Sequence, residues 1–137
     1  MARILVAEDD DNVRQFVVRA LELKGHEVVF AEDGGLAAEA MAEHDGDFEL
    51  LLSDIKMPVM DGIALALSVG AAYPEITILL MTGFADQRER AHGLEALIYD
   101  VIPKPFSLQM LMDKVDDALA GRPAEIVSLA KQAMNGG

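Results

Sequence analysis

The segment Ile4-Leu5-Val6-Ala7-Glu8-Asp9-Asp10-Asp11 passes from an unbroken apolar run straight into consecutive carboxylates. Four apolar residues bounded so sharply are too short for a helix and read as a strand buried on both faces. Just beyond them, Val13, Phe16, Val17, Ala20 and Leu21 fall at i, i+3, i+4, i+7 and i+8, which is one face of an amphipathic helix. Gly25 is where that helix should stop. The rest of the chain goes on alternating short apolar runs with segments of helical period, without an internal sequence repeat.

Val28 to Ala31 reads as the second strand, and Asp33-Gly34-Gly35 opens a helix with Ala37, Ala40 and Met41 facing inward. Glu49-Leu50-Leu51-Leu52-Ser53 is the third strand, running into Asp54. Met57 to Gly62 is a loop with Pro58 in it, followed by a helix from about Ile63 to Tyr73. Ile76 to Met81 is the fourth strand, closed by Thr82-Gly83. Asp86 followed by Glu89 resembles a capping box and starts a fourth helix, which contains Gly93. Ile98 to Ile102 is the fifth strand. Ser107 caps a last helix with Leu108, Leu111, Met112, Val115 and Leu119 on one face. Met57, Met60, Met110 and Met112 read as packing residues. Strands alternating with helices imply an α/β domain with a parallel sheet covered on both sides. Ligands of such sheets bind beyond the carboxyl ends of the strands.

With 137 residues the chain suits one domain, and 52% hydrophobic against 26% charged residues suits a folded one. No apolar run approaches the roughly 20 residues that span a bilayer, and the acidic start does not read as a signal peptide. Cysteine is absent, which excludes disulfides, thiolate metal sites and a cysteine nucleophile. These features point to the cytoplasm. A formal charge of −13 disfavours direct binding to DNA and favours cations and basic partner surfaces.

The residues just after strands one, three, four and five should therefore meet: Glu8, Asp9 and Asp10, then Asp54, Thr82 and Lys104. Two like charges about 5 Å apart cost roughly 3 kcal/mol at an effective dielectric of about 20. A hard divalent cation with oxygen ligands, such as Mg²⁺, would offset that repulsion. A carboxylate beside such an ion can attack a phosphoryl group, with Lys104 and the Thr82 hydroxyl available to the phosphoryl oxygens. Each feature alone has a plain reading: acids at a helix start, a turn aspartate, a solvated lysine. Their joint placement at one sheet edge is what argues for a site.

Ile4 to Asp10, Asp54-Ile55-Lys56-Met57-Pro58-Val59-Met60-Asp61-Gly62, Met81-Thr82-Gly83 and Pro103-Lys104-Pro105-Phe106 resemble the receiver domain of two-component response regulators. The resemblance covers residues 2 to about 120. The single-domain form, with Leu51-Leu52-Ser53-Asp54-Ile55 and Thr82-Gly83-Phe84, is similar to the alphaproteobacterial CpdR type. The resemblance implies a flavodoxin-like (βα)5 three-layer sandwich with strand order 2-1-3-4-5. It implies Asp54 as phosphoacceptor, with Thr82 and Lys104 contacting the phosphoryl group. Asp9, Asp54 and the Lys56 main-chain carbonyl would hold Mg²⁺ or Mn²⁺, with Glu8 acting on the metal through water. It further implies a cis peptide at Lys104-Pro105, and a histidine kinase or histidine phosphotransfer protein as donor. A downstream protein partner would read the surface of the fourth helix, fifth strand and fifth helix. Self-phosphorylation and self-dephosphorylation would be the only catalysis.

Two positions depart from the family pattern: Glu8 opens the acidic pair where Asp is commoner, a variation the family tolerates, and Val101 is the second. Val101 stands where the family carries an aromatic residue three places before the lysine; Tyr99, two positions earlier, should share its strand face. This keeps a second reading open, a pseudo-receiver that binds partners without phosphorylation. A dehalogenase-like phosphatase would place its aspartates after the first strand, and a nucleotide or flavin carrier wants glycines and free N–H groups there, not carboxylates. His26, His44 and His92 have no ligand-like spacing and read as surface or helix-end residues. Residues 1–121 form the receiver unit. Gly121-Arg122-Pro123 breaks the last helix, and 122–137 form an extension with Ile126, Leu129, Ala130, Ala133 and Met134 at helical spacing. That extension either packs on its own domain or docks on a partner or second copy as a homodimer contact. No DNA-binding or enzymatic output domain is expected after it.

Overall fold

The computed structural model describes residues 1–83, 91 and 93–121. Five parallel strands form one sheet in the order β2-β1-β3-β4-β5, which is the expected order: β1 Arg3–Ala7, β2 Glu27–Ala31, β3 Leu50–Asp54, β4 Thr77–Thr82 and β5 Asp100–Pro103. Among the described residues the helices are α1 Asp11–Leu23, α2 Gly34–Glu43, α3 Gly62–Ala72 and α4 Leu108–Leu119. The helix expected to begin at Asp86, and the extension after Gly121, lie outside the described residues apart from Ala91 and Gly93. Ala91 is buried against the core.

The strands are apolar throughout because each side of the sheet has its own core. Leu5, Leu51, Ile78, Leu80 and Val101 point into a core shared with α2 and α3 through Ala37, Met41, Leu65 and Val69. Ile4, Val6, Leu50, Leu52, Leu79 and Ile102 point the other way, against Val17 and Leu21 of α1 and Leu111 and Val115 of α4. Polar caps set the helix starts. The Asp10, Asp33, Asp61 and Ser107 side chains accept from main-chain N–H groups of the first turns of α1 to α4 respectively. α1 ends where expected, with Gly25 at φ +88° after its last turn.

The apolar stripes are narrower than periodicity suggests. Phe16 is 43% exposed, with its ring tilted against Phe106 at 6.3 Å. Leu108 and Met110 are exposed at the start of α4, so of that stripe only Leu111, Met112 and Val115 are buried and Leu119 partly so. The fifth strand starts two residues later than expected. The Leu97 and Ile98 N–H groups are still turned back onto the Leu94 carbonyl, and the chain joins β4 only when Tyr99 N–H reaches the Ile78 carbonyl. The two-residue alternation therefore does not hold across that entry. Tyr99 packs in the α1–α4 core, whereas Val101 is buried in the α2–α3 core.

Candidate functional site

The carboxyl edge of the sheet brings four chain segments together. β1 ends at Ala7, and the next residue, Glu8, is fully buried while Asp9 is exposed. Asp10 also borders the cleft but caps α1, its Oδ1 accepting from the N–H groups of Asn12 at 2.9 Å and Val13 at 3.0 Å. The plain reading of an acid at a helix start is thus correct for Asp10.

Asp54 is the last residue of β3 and only 6% exposed. Its Oδ1 accepts from Ile55 N–H at 2.9 Å, which fixes the carboxylate plane. The loop behind it depends on Gly62: a Cβ there would lie 2.0 Å from the Asp54 carbonyl oxygen. Gly62 N–H instead donates to the Ile55 carbonyl at 2.7 Å as α3 begins, tying the loop shut beneath the aspartate.

Lys104 follows β5, its N–H donating to the Thr82 carbonyl at 2.7 Å, and the Lys104-Pro105 peptide is cis as expected. Its ammonium forms a close ion pair with Glu8 Oε1 and lies 3.2 Å from Asp54 Oδ2. One cation thus bridges two buried carboxylates that come from different strands.

One carboxylate oxygen each of Glu8, Asp9 and Asp54 lies within 4.8 Å of the others. Burial is the main cause that raises Glu8 from 4.5 to about 7, and the Asp54 charge adds to it while the Lys104 hydrogen bond partly offsets it. Burial alone would lower Lys104, but its hydrogen bond to Glu8 and the Asp54 charge outweigh that and raise it, so it stays protonated. The cluster therefore carries more negative charge than Lys104 neutralises. An all-oxygen donor set with surplus negative charge fits a hard divalent cation such as Mg²⁺ or Mn²⁺.

An open cleft of about 510 Å³ lies over these groups, lined by Glu8, Asp9, Asp54, Lys56 and Lys104 among others. Glu8, Asp9, Asp54 and Lys56, the residues expected around a metal, thus border one cleft. Thr82 ends β4 at the same edge but is buried, and Gly83 after it lines the cleft. Of the histidines, His92 lies outside the described residues, and the other two lie apart from the cleft: His26 Nδ1 accepts from Ala2 N–H at 3.0 Å, and His44 Nδ1 lies 2.9 Å from an Arg3 nitrogen. Sequence reading missed Arg14. It lies on the buried side of α1, with Nη1 donating to the Glu8 carbonyl at 2.9 Å and Nη2 paired with Asp11. The available signal was a basic residue one place from the apolar stripe and six residues after Glu8.

The response regulator receiver domain model matches residues 4–116. The response regulator receiver protein CpdR of Brucella abortus (strain 2308) is 40% identical over 119 residues, covering 87% of this chain and 98% of that protein. Sensor kinase CckA of the same organism is 35% identical over 118 residues, which span 86% of this chain and 12% of the kinase. Among solved structures, the CheY-like receiver domain protein from Methanospirillum hungatei JF-1 matches with a TM-score of 0.79 and 29% identity, over 88% of this chain and 95% of that one.

Proposed function

The chain belongs to the response regulator receiver family, with a role in two-component signalling, and we propose that it is a switch phosphorylated on Asp54. The observation that carries this reading is the carboxyl-edge cluster: Glu8, Asp9 and Asp54 within 4.8 Å, with one lysine bridging two of them. The donor is a phosphohistidine on a histidine kinase or phosphotransfer protein. An Asp54 carboxylate oxygen attacks phosphorus as the bond from phosphorus to the imidazole nitrogen breaks. The electron pair leaves with the imidazole, and the product on this chain is an acyl phosphate.

Asp9, Asp54 and the Lys56 carbonyl would hold Mg²⁺ or Mn²⁺, with Glu8 acting through water. The ion, when bound, supplies charge neutralisation for the carboxylates and the incoming phosphoryl oxygens. Lys104 exchanges its carboxylate partners for a phosphoryl oxygen, and the Thr82 hydroxyl donates to another. Asp54 modification then biases a pre-existing equilibrium between two conformations. A downstream protein reads the change on the surface of the helix expected to begin at Asp86, together with β5 and α4. A charge of −13 disfavours DNA and anionic membrane surfaces and favours basic protein partners, in keeping with a switch that works in the cytoplasm.

Borohydride reduction after treatment with acetyl phosphate and Mg²⁺ tests the position of the acyl phosphate. Homoserine at residue 54 is the expected product; homoserine at another aspartate, or none, contradicts the assignment. One observation favours a second reading, a phosphorylation-independent interaction module. Val101 is buried and aliphatic, so the position three before Lys104 supplies no aromatic ring, and Tyr99 packs in the opposite core. An unchanged partner affinity after phosphorylation would favour this module.

A further inference from the structure

Arg14 is a charged residue on the buried side of α1, beside Val17 and Leu21, and is only 8% exposed. Its surroundings explain why it is there. β1 pairing stops at Ala7, so the peptides that carry Glu8 and Asp9 into the cleft have no strand ladder to hold them. Glu8 N–H is anchored on the Ala31 carbonyl at 3.1 Å. The Glu8 carbonyl is anchored by Arg14 Nη1 at 2.9 Å, in a buried contact. The other arm of the guanidinium pairs with Asp11, and the Phe30 ring lies 6.0 Å from its central carbon. The fork is therefore fixed from two further directions while it holds the carbonyl.

We propose that Arg14 is a positioning residue for the cation site: by pinning the Glu8 carbonyl it fixes the Glu8–Asp9 peptide and the two carboxylates on it. This rests on reading the cleft as a Mg²⁺-dependent phosphoacceptor site. Arg14 does not itself line the cleft; its guanidinium reaches the lining residue Glu8 at the main-chain carbonyl, so its effect is on how the ligands are held. Charge and positioning predict opposite outcomes when it is removed. Loss of a nearby positive charge alone makes Mg²⁺ bind more tightly. Loss of an outer support that orients the ligands weakens metal binding, typically by about 10–100-fold.

The test is Mg²⁺ titration by calorimetry of the wild-type chain, Arg14→Met and Arg14→Lys, with amide hydrogen exchange of the metal-free proteins. We expect Arg14→Met to bind Mg²⁺ about tenfold more weakly and to exchange the Asp9 and Asp10 amides faster. Its phosphorylation by acetyl phosphate should need more Mg²⁺ yet reach the wild-type rate at saturation. Arg14→Lys, which keeps the charge but not the fork, should fall between the two. Equal or tighter Mg²⁺ binding by a folded Arg14→Met would overturn the proposal, even with a lowered melting temperature. Should Arg14→Met not fold, Arg14→Lys decides: weaker Mg²⁺ binding supports positioning, and wild-type affinity overturns it. A wild-type chain that binds no Mg²⁺ would defeat the reading of the cleft and this proposal with it.

Discussion

The two ends of the sheet hold similar sets of charges and use them differently. At the amino end Arg3 lies 2.9 Å from Asp47 and 3.8 Å from Glu27, whose side chains are 80% and 60% exposed, and it also packs over Phe48. At the carboxyl end Lys104 faces Glu8 and Asp54, whose side chains are 0% and 9% exposed. In each case one cation meets two acids. Water screens the first group, so the acids there have no need of a further cation. Burial leaves the second group with repulsion that the protein itself does not cancel. What makes the carboxyl edge a site is its lack of solvent, more than its number of acids.

Removing the cation at each end should expose that difference most strongly. Lys104→Met leaves two buried carboxylates facing each other, and should cost metal-free protein roughly 3 kcal/mol in urea unfolding. Mg²⁺ should recover most of the loss. Arg3→Met, among exposed partners, should cost below about 1 kcal/mol and gain nothing from Mg²⁺. Equal losses would mean that burial does not distinguish the two ends.

The ends should also answer pH in opposite directions. Glu8 titrates near 4.5 when unfolded and at about 7 when folded, so the folded state holds its proton more tightly. Its contribution is complete below 4.5 and is lost as pH rises through 7. In Glu8→Gln, the metal-free melting temperature should lose that downward slope. An unchanged slope would show that Glu8 is not the group strained by burial.

A smaller effect of the opposite sign belongs to His26 at the amino end. Burial, helped by the nearby amino terminus, lowers it from 6.5 in the folded protein. Its stabilisation is therefore complete above 6.5 and lost as pH falls through the lowered value. His26→Gln, scanned by thermal melting, should flatten this acid limb and leave the rise in Glu8 untouched. Retention of the full limb would move the titration to another group.

The architecture was legible because strands buried on both sides leave unbroken apolar runs, such as Leu50-Leu51-Leu52, and the acids follow them directly. Strand ends were off by one or two residues, since Leu97 and Ile98 are as apolar as a strand but their N–H groups are spent in a turn. Phe16 fits the helical period yet lies at the margin of the stripe, where Phe106 covers part of it. Of the site, the carboxylates and Lys104 could be placed from strand ends alone. Arg14 was not, because a basic residue beside the apolar stripe does not say which main-chain carbonyl it will hold. Tyr99 was assigned to the face of Val101 by counting residues, which fails once the backbone is no longer extended.

Intact mass measured after incubation with acetyl phosphate, with and without Mg²⁺ and with Asp54→Asn in parallel, decides whether Asp54 is a Mg²⁺-dependent phosphoacceptor. The expected result is a gain of one phosphoryl group that requires both Mg²⁺ and Asp54. No gain in the wild-type chain under rapid acid quenching, or an equal gain in Asp54→Asn, would contradict it.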